Sequence, residues 1–131
     1  MTNADVIKNW LAQANYDYKS AKVMLNGKRY LYVAFLCQQS VEKYLKGIYV
    51  SEKNKTPPYT HSLKSLIDDM SFKNECSEEN IDFILKLNSY YITSRYGPAI
   101  DEVTKNFKKR QAEDLYKKTG EFLKWLKSKL S

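Results

Sequence analysis

The sequence predicts an all-α protein, an antiparallel bundle of four long helices plus one short helix. Apolar residues recur at spacings of three and four along four long segments, as they do in amphipathic helices. Only four glycines and three prolines occur among 131 residues, so long helices can run without interruption. No segment has the strict apolar–polar alternation of a strand. We therefore predict one helical domain over residues 1–131.

The first two helices are predicted from continuous apolar stripes. The first extends from about Asn3 to Asn26, and Gly27 supplies a stop signal behind it. The second extends from about Arg29 to Glu52 and has the widest apolar face, so we expect it to be the most buried helix. Its stripe comprises Tyr30, Val33, Ala34, Cys37, Val41, Tyr44, Leu45 and Ile48.

The third helix is predicted to be short and to follow a loop. The loop covers Lys53 to Tyr59, where two consecutive prolines are incompatible with a helix. Thr60 is the expected N-cap, because its hydroxyl can accept a hydrogen bond from a free backbone amide of the first turn. The polar stretch Ser71 to Ser77 is predicted to be a second loop.

The last two helices complete the predicted bundle. The fourth begins after Ser77, with glutamates favourably placed in its first turn, and it breaks at Gly97–Pro98. The fifth extends from about Thr104 to Leu130 and carries Leu115, Phe122, Trp125, Leu126 and Leu130 as apolar positions.

Composition narrows the possible functions. The net charge is +7, and much of the excess lies between Lys105 and Ser131. Such a surface attracts polyanions by non-specific electrostatics, or it is a solvated helix face that keeps the protein in solution. Cys37 and Cys76 are too few for a disulfide framework, and with one histidine they offer no zinc spacing. We expect free thiols, no metal and no cofactor.

The N-terminal sequence does not resemble an export signal. It lacks both a basic start and an apolar run of signal-peptide length. The longest wholly apolar run, Leu31 to Cys37, is far shorter than the ~20 residues that span a bilayer. The expected location is the cytoplasm, with no membrane partner.

A basic and aromatic cluster at the end of the fourth helix is the first candidate binding site. Tyr91 and Arg95 are four residues apart and therefore share a helical face, and Tyr96 lies at the break. The arginine can pair with a phosphate in fork geometry, while the tyrosines can stack on a base or a sugar. The alternative is an arginine whose stem covers the end of a core helix.

A polar row on the second helix is the second candidate. Gln38, Gln39, Glu42, Lys43 and Lys46 recur at spacings of three and four. A Glu42–Lys46 pair would support the helix by a few tenths of a kcal/mol. The functional interpretation is a polar groove wall in which Gln39 contributes and Lys43 or Lys46 meets an anion.

Three segments together resemble the HEPN domain family. They match family motifs in the family's order and at similar separations. The segments are QQSVEKYLK at residues 38–46, PYTHSLKSL at residues 58–66 and YYITSRYGP at residues 90–98. The resemblance implies a helical bundle that usually forms homodimers. It also implies nucleotide binding and a minimal nucleotidyltransferase encoded nearby, and many family members are ribonucleases of toxin–antitoxin or defence systems.

One departure from the family pattern bears on catalysis. Nuclease members carry a histidine a few residues after the arginine that Arg95 would represent. The corresponding positions here hold Ile100, Asp101 and Glu102. Without an imidazole near Arg95, a ribose 2′-hydroxyl lacks its expected general base, so ribonuclease activity is disfavoured.

His61 is the only histidine in the chain. In the first turn of the third helix its ring could fix the loop by bonding to a backbone carbonyl, which is the structural interpretation. Its alternative role is a phosphate contact, because helix N-termini attract anions.

Three functions remain open. The working hypothesis is a non-catalytic nucleotide- or RNA-binding module that pairs with a minimal nucleotidyltransferase. The alternatives are a metal-independent endoribonuclease and a structural dimerisation module. The candidate ligand-binding residues for the first function are Arg95, Tyr91, Tyr96, Lys43, Lys46, Gln39 and His61.

Overall fold

The described part of the chain is a helical bundle. The computed structural model describes residues 1–96, 105 and 107–130, and describes the side chains of 1–91, 105 and 107–130. The elements in this part are α1 (Asn3–Asn26), α2 (Tyr30–Lys53), α3 (Leu63–Asp68), α4 (Glu78–Tyr96) and α5 (Lys109–Lys129), with a 3-10 turn at Lys73–Glu75. Four long helices and one short helix confirm the predicted fold class.

The limits of α1 agree with the prediction at both ends. The Thr2 hydroxyl accepts from the Asp5 amide at 3.2 Å, and the Asp5 carboxylate accepts from the Thr2 amide at 3.1 Å. This reciprocal capping box satisfies donors that the first turn leaves free. At the other end Gly27 follows the last helical residue, but the left-handed conformation falls on Lys28, with φ of 62°.

The central element of the bundle is α2. It contributes more buried residues than any other described helix, as its wide apolar stripe predicted. It packs against α1, α3, α4 and α5, and it begins and ends one residue later than expected. At Gly47 the backbones of α1 and α2 approach closely, because a Cβ there would lie 3.0 Å from Leu11 Cδ2.

The predicted start of α3 was wrong. Ser62 is the N-cap, and its hydroxyl accepts from the Ser65 amide at 3.2 Å. The Thr60 hydroxyl instead accepts from the Ser62 amide at 3.1 Å, which stabilises the turn before the helix. His61 therefore belongs to the loop that precedes α3 and not to its first turn, so the helix-terminus argument for a phosphate contact does not apply.

The last two long helices start with side-chain caps. The Ser77 hydroxyl accepts from the Asn80 amide at 3.0 Å, and α4 begins at Glu78 as predicted. The predicted break at Gly97–Pro98 and the predicted helix start at Thr104 lie outside the described residues. The helix α5 begins at Lys109, where the Gln111 side chain accepts from the Lys108 amide at 3.1 Å.

A pair of stacked tyrosines joins α1 to α5. The rings of Tyr18 and Tyr116 are nearly parallel, with centroids 4.5 Å apart, and the Tyr18 hydroxyl donates to the Tyr116 carbonyl at 3.1 Å. Burial is the main cause of the raised pKa of Tyr18. Gly120 makes room for the ring, since a Cβ at that position would overlap the Tyr18 hydroxyl.

No helix in the described ranges is both long enough and apolar enough to cross a membrane.

Candidate functional site

His61 lies in the loop before α3, and its ring reaches the middle of α2. Its Nδ1 is 2.8 Å from Oε1 of Glu42, a side chain that is only 5% exposed. The His61 side chain is 41% exposed. Because Nδ1 faces a carboxylate oxygen, it carries the ring proton in the neutral form. Nε2 is then the nitrogen that can accept a proton or contact a ligand.

Two further donors from α2 converge on Glu42. Nε2 of Gln38 and Nζ of Lys46 each lie 3.2 Å from the carboxylate, on opposite oxygens. Residues 38, 42 and 46 are four apart, so they stack on one face of the helix. A buried carboxylate is stable only when it is paired and hydrogen-bonded, and this arrangement satisfies that requirement. We call Gln38, Glu42, Lys46 and His61 the buried polar network.

The loop that carries His61 is tied to two helices. Nε2 of Gln38 on α2 donates to the His61 carbonyl at 3.0 Å. The Leu63 amide donates to the Asn88 side chain on α4 at 3.0 Å. These bonds fix the backbone that follows the imidazole, so the position of the ring depends on the packing of α2 against α4.

Aromatic rings surround the His61 imidazole. The ring of Tyr91 on α4 lies 5.0 Å away between centroids, and Phe35 on α2 stacks on Tyr91 with centroids 5.7 Å apart. Tyr91 is buried, so its ring packs under the site instead of standing free to stack on a base. Tyr59 is 95% exposed and lies 5.9 Å from His61 in an edge-on arrangement.

The candidate residues predicted from sequence divide into two groups. Lys46, His61 and Tyr91 come together around the buried polar network. Lys43 points elsewhere, because its Nζ pairs with Asp17 on α1 at 2.7 Å.

Gln39 contacts the buried polar network at its edge, because its side-chain amide donates to the Gln38 side chain at 2.8 Å. The polar row is thus only partly a groove wall, since Gln38, Glu42 and Lys46 are buried.

Arg95 and Tyr96 belong to the last turn of α4, and their side chains lie outside the described residues. Arg95 follows Tyr91 by four residues, which places it one turn further along the same helical face. Arg95 therefore follows Tyr91, whose ring contacts His61, on the same face of α4.

Sequence reasoning missed Glu42 and Gln38 as the partners of His61, and it missed Tyr59 as an exposed ring. A signal existed for each of them. Gln38, Glu42 and Lys46 follow one another at four-residue spacing, and Tyr59 stands two residues before His61 in the same motif. None of these signals states which helix the histidine loop contacts.

The thiols do not resemble activated nucleophiles. Both cysteines are free, and burial raises the pKa of Cys37 to about 12. Burial is also the main cause of the raised pKa of Cys76. A reactive cysteine needs a lowered pKa, so neither thiol is suited to nucleophilic catalysis. Over the described ranges, no group of three or more His, Cys, Asp or Glu residues could hold a metal ion.

The geometry is suited to proton transfer or to anion contact. A carboxylate that orients an imidazole through Nδ1 is the arrangement that prepares a histidine to act as a general base. The protonated ring could equally donate from Nε2 to a phosphate oxygen while its Nδ1 donates to Glu42. The Glu42 carboxylate already balances the Lys46 ammonium, so Lys46 contributes little free positive charge.

Comparison with known proteins gives one family match and two close folds. The family model for the HEPN domain matches residues 7–129. TT1696 from Thermus thermophilus superposes with a TM-score of 0.80 at 24% identity, covering 95% of this chain and 98% of that one. ST0689, an archaeal HEPN homologue, superposes with a TM-score of 0.75 at 23% identity and the same coverage. No curated protein matches the sequence.

Proposed function

The chain belongs to the HEPN domain family, and on that basis we propose that it binds a nucleotide or RNA at His61 and acts as a non-catalytic partner of a minimal nucleotidyltransferase. The observation that carries the proposal is the half-exposed His61 imidazole, held by buried Glu42 and in contact with Tyr91, one helical turn before Arg95. HEPN domains commonly dimerise, and we expect a homodimer here.

The phosphate group of the ligand would lie between His61 and the end of α4. His61 Nε2 is the nitrogen that the network leaves for a ligand, and a protonated ring would donate to a phosphate oxygen. Arg95, with five donors in a planar fork, would supply the second contact. The net charge of +7 would raise the local concentration of a polyanion around the protein.

The base would stack on Tyr59. This ring is almost fully exposed and stands beside His61, so it can cover a base whose phosphate contacts the imidazole. Stacking on an aromatic side chain contributes about 1–3 kcal/mol per base and tolerates any sequence. We therefore expect the protein to show only a weak preference among the bases of its ligand.

The binding test uses ATP, GTP and a short RNA as probes. We expect Arg95→Ala to weaken binding by about 1.5–3 kcal/mol, the contribution of a charged hydrogen bond. Arg95→Lys should recover part of the loss, because a point charge does not reproduce the fork. Arg110→Ala is the matched control, since Arg110 is an exposed arginine on α5 that does not belong to the buried polar network.

Variants at Tyr59 separate the ring from its hydroxyl. Tyr59→Phe should bind as the wild type does, whereas Tyr59→Ala should bind more weakly. If the wild type binds none of the three probes, or if Arg95→Ala and Arg110→Ala behave alike, the nucleotide-binding proposal fails and the structural dimerisation module is the better hypothesis.

The partnership has its own test. Where a minimal nucleotidyltransferase is encoded beside this chain, co-expression should give a complex that survives size-exclusion chromatography. Separate elution of the two proteins at micromolar concentration would remove this part of the proposal.

A second candidate function is metal-independent RNA cleavage, and the Glu42–His61 pair is the observation that favours it. The imidazole missing from positions 100–102 could come from His61, which approaches α4 in space. His61 Nε2 would take the proton of a ribose 2′-hydroxyl. RNA cleavage that persists in EDTA and is lost in His61→Asn would establish this function, and intact RNA after long incubation would exclude it.

A further inference from the structure

A groove lies between α4 and α5. Both helices pack on α2 more than on each other, and the space between them has a volume of about 630 Å³. The face of α4 that lines the groove carries Phe83 and Tyr90. Asn88 and Tyr91, which contact the histidine loop, do not line it. The groove is therefore a surface separate from the buried polar network.

Aromatic rings form the floor of the groove. The Phe83 and Phe122 centroids lie 5.6 Å apart, and the Trp125 centroid lies 5.6 Å from that of Phe122. Phe122 is buried, but Phe83, Tyr90 and Trp125 are only partly buried. These three rings thus keep apolar area that a bound chain would remove from water, and such burial favours binding.

Both walls of the groove are acidic. Glu79 and Asp82 lie on the α4 side, and Asp114 and Glu121 lie on the α5 side. In all, five carboxylates and two lysines line the groove, a net charge of −3 in a chain whose net charge is +7. One of the lysines, Lys118, is already paired with Asp114 at 3.2 Å. The groove is therefore a local region of negative potential on a basic protein.

Helix stability explains only part of this negative charge. Glu78 and Glu79 lie in the first turn of α4, where carboxylates interact favourably with the helix dipole. Asp82 and Glu121 lie beyond the first turns of their helices. Neither forms an ion pair with a lysine or arginine of the described ranges. Both side chains are exposed, so their charges are available to a partner.

We propose that the α4–α5 groove binds a basic amphipathic helix of a partner protein. The apolar stripe of that helix covers the aromatic floor, and its lysines and arginines face the carboxylates of the two walls. The groove follows α4 from Glu78 to Tyr90, about 18 Å, which is the length of about three helical turns. This inference does not depend on nucleotide binding, because the groove shares no residue with the buried polar network.

The groove suits a helix better than an extended peptide. An extended peptide binds by pairing its main chain with the free edge of a sheet. The backbone donors and acceptors of α4 and α5 are used inside the helices, so the groove offers no such edge. A helical partner satisfies its own backbone and needs only side-chain contacts, which this groove provides.

Three synthetic peptides of about 14 residues, slightly longer than the groove, test the chemistry of the partner. The first has a leucine stripe at helical spacing with lysines on both edges. The second contains the same residues in scrambled order, so it has the same charge but no stripe. The third has the leucine stripe with glutamates in place of the lysines. The net charge of +7 would by itself attract only the glutamate peptide.

Fluorescence anisotropy of the labelled peptides measures binding to the wild type and to charge variants. We expect the ordered lysine peptide to bind the wild type more tightly than the other two. Asp82→Lys with Glu121→Lys should bind this peptide about tenfold more weakly, because like charges then face each other. The same variant should gain affinity for the glutamate peptide, which also shows that it is folded. Asp69→Lys with Glu113→Lys is the matched control, since these exposed acids lie outside the groove and give the same change in net charge.

Trp125 reports where the peptide binds. The chain has two tryptophans, and Trp10→Phe leaves Trp125, in the groove, as the only one. Its emission should shift to the blue when the ordered lysine peptide covers the ring. The scrambled peptide should leave the emission unchanged.

Three results would overturn the proposal. The first is that the ordered lysine peptide binds no better than its scrambled form, because charge alone would then explain any binding. The second is that Asp82→Lys with Glu121→Lys keeps the wild-type affinity, which would place the peptide outside the groove. The third is that this variant loses the wild-type oligomeric state in sedimentation, which would assign the groove to a second copy of the chain.

Discussion

Replacing Glu42 by glutamine should reveal how much of the folding free energy depends on the buried polar network. Glutamine keeps the size of the side chain but removes the charge that balances Lys46. Its amide oxygen can replace Oε1 and accept from His61 and Gln38, but its NH2 group then replaces Oε2 and faces the Lys46 ammonium. The substitution therefore breaks a buried ion pair and leaves the buried Lys46 ammonium without its acceptor.

The expected magnitude follows from the burial of the pair. Removing one partner of a buried ion pair costs about 3–5 kcal/mol, because the remaining charge stays in a medium of low polarity. The Trp10 ring lies 5.8 Å from Lys46 Nζ and offsets a small part of this cost. We therefore expect a loss of about 3 kcal/mol, equivalent to a fall of about 10 °C in Tm for a domain of this size.

Urea denaturation followed by circular dichroism provides the measurement, and α5 provides a matched control. In Asp114–Lys118, as in Glu42–Lys46, the acid precedes the lysine by four residues, and the lysine Nζ lies 3.2 Å from a carboxylate oxygen. The side chains of Asp114 and Lys118, however, are about half exposed. Asp114→Asn should cost only about 0.3–0.5 kcal/mol. The two pairs differ mainly in burial, in the extra donors to Glu42 and in the Trp10 ring beside Lys46.

A second variant completes the argument. Adding Lys46→Met to Glu42→Gln removes the stranded charge, so the double variant should recover most of the loss. If Glu42→Gln costs no more than Asp114→Asn, or if Lys46→Met adds a further loss, then the network does not stabilise the fold in the way described.

Gly120→Ala should destabilise the protein by about 1–3 kcal/mol in urea denaturation, despite the better helix propensity of alanine, because the new Cβ overlaps the Tyr18 hydroxyl. The same change in a Tyr18→Phe background should cost clearly less, and equal costs in both backgrounds would contradict the overlap. Iodoacetamide at pH 8 should modify Cys76 in the folded protein well before Cys37, because burial raises the pKa of the latter thiol to about 12. Since the unfolded thiol of Cys37 ionises near pH 8.5, the free energy of unfolding should fall by up to about 1.4 kcal/mol per pH unit between pH 9 and pH 12, and Cys37→Ala should reduce this slope.

Helical periodicity was sufficient to predict the fold class and most helix limits. The limits of α1 and the start of α4 follow from local signals, namely a stripe, a capping serine or threonine and a glycine. The start of α3 did not follow, because Thr60 and Ser62 are both suitable N-caps. Only the position of His61 against α2, a contact between residues far apart in sequence, decides between them.

The candidate site was predictable in its residues but not in its pairing. The spacing of Gln38, Glu42 and Lys46 shows that they share a face, yet it does not show that this face is covered by the loop with His61. Lys43 belongs to the same row, but it is one residue beyond Glu42 and so points toward Asp17 on α1. Consecutive residues of an α-helix are rotated by about 100°, so the adjacent Glu42 and Lys43 point in different directions. Which of these directions is buried depends on how α2 packs against the rest of the protein, and the sequence of α2 does not state this.

The hydrogen bond from the Leu63 amide to Asn88 makes one backbone proton a measure of how closely α4 holds the site. A first-turn amide has no acceptor within its own helix, so nothing in α3 protects this proton from exchange with deuterium. Its exchange rate therefore reports the fraction of time that α4 and the histidine loop are separated, while the amides inside α2 report opening of the whole bundle. A faster exchange at Leu63 alone, without change in α2, would identify a variant that loosens the binding site and leaves the fold intact.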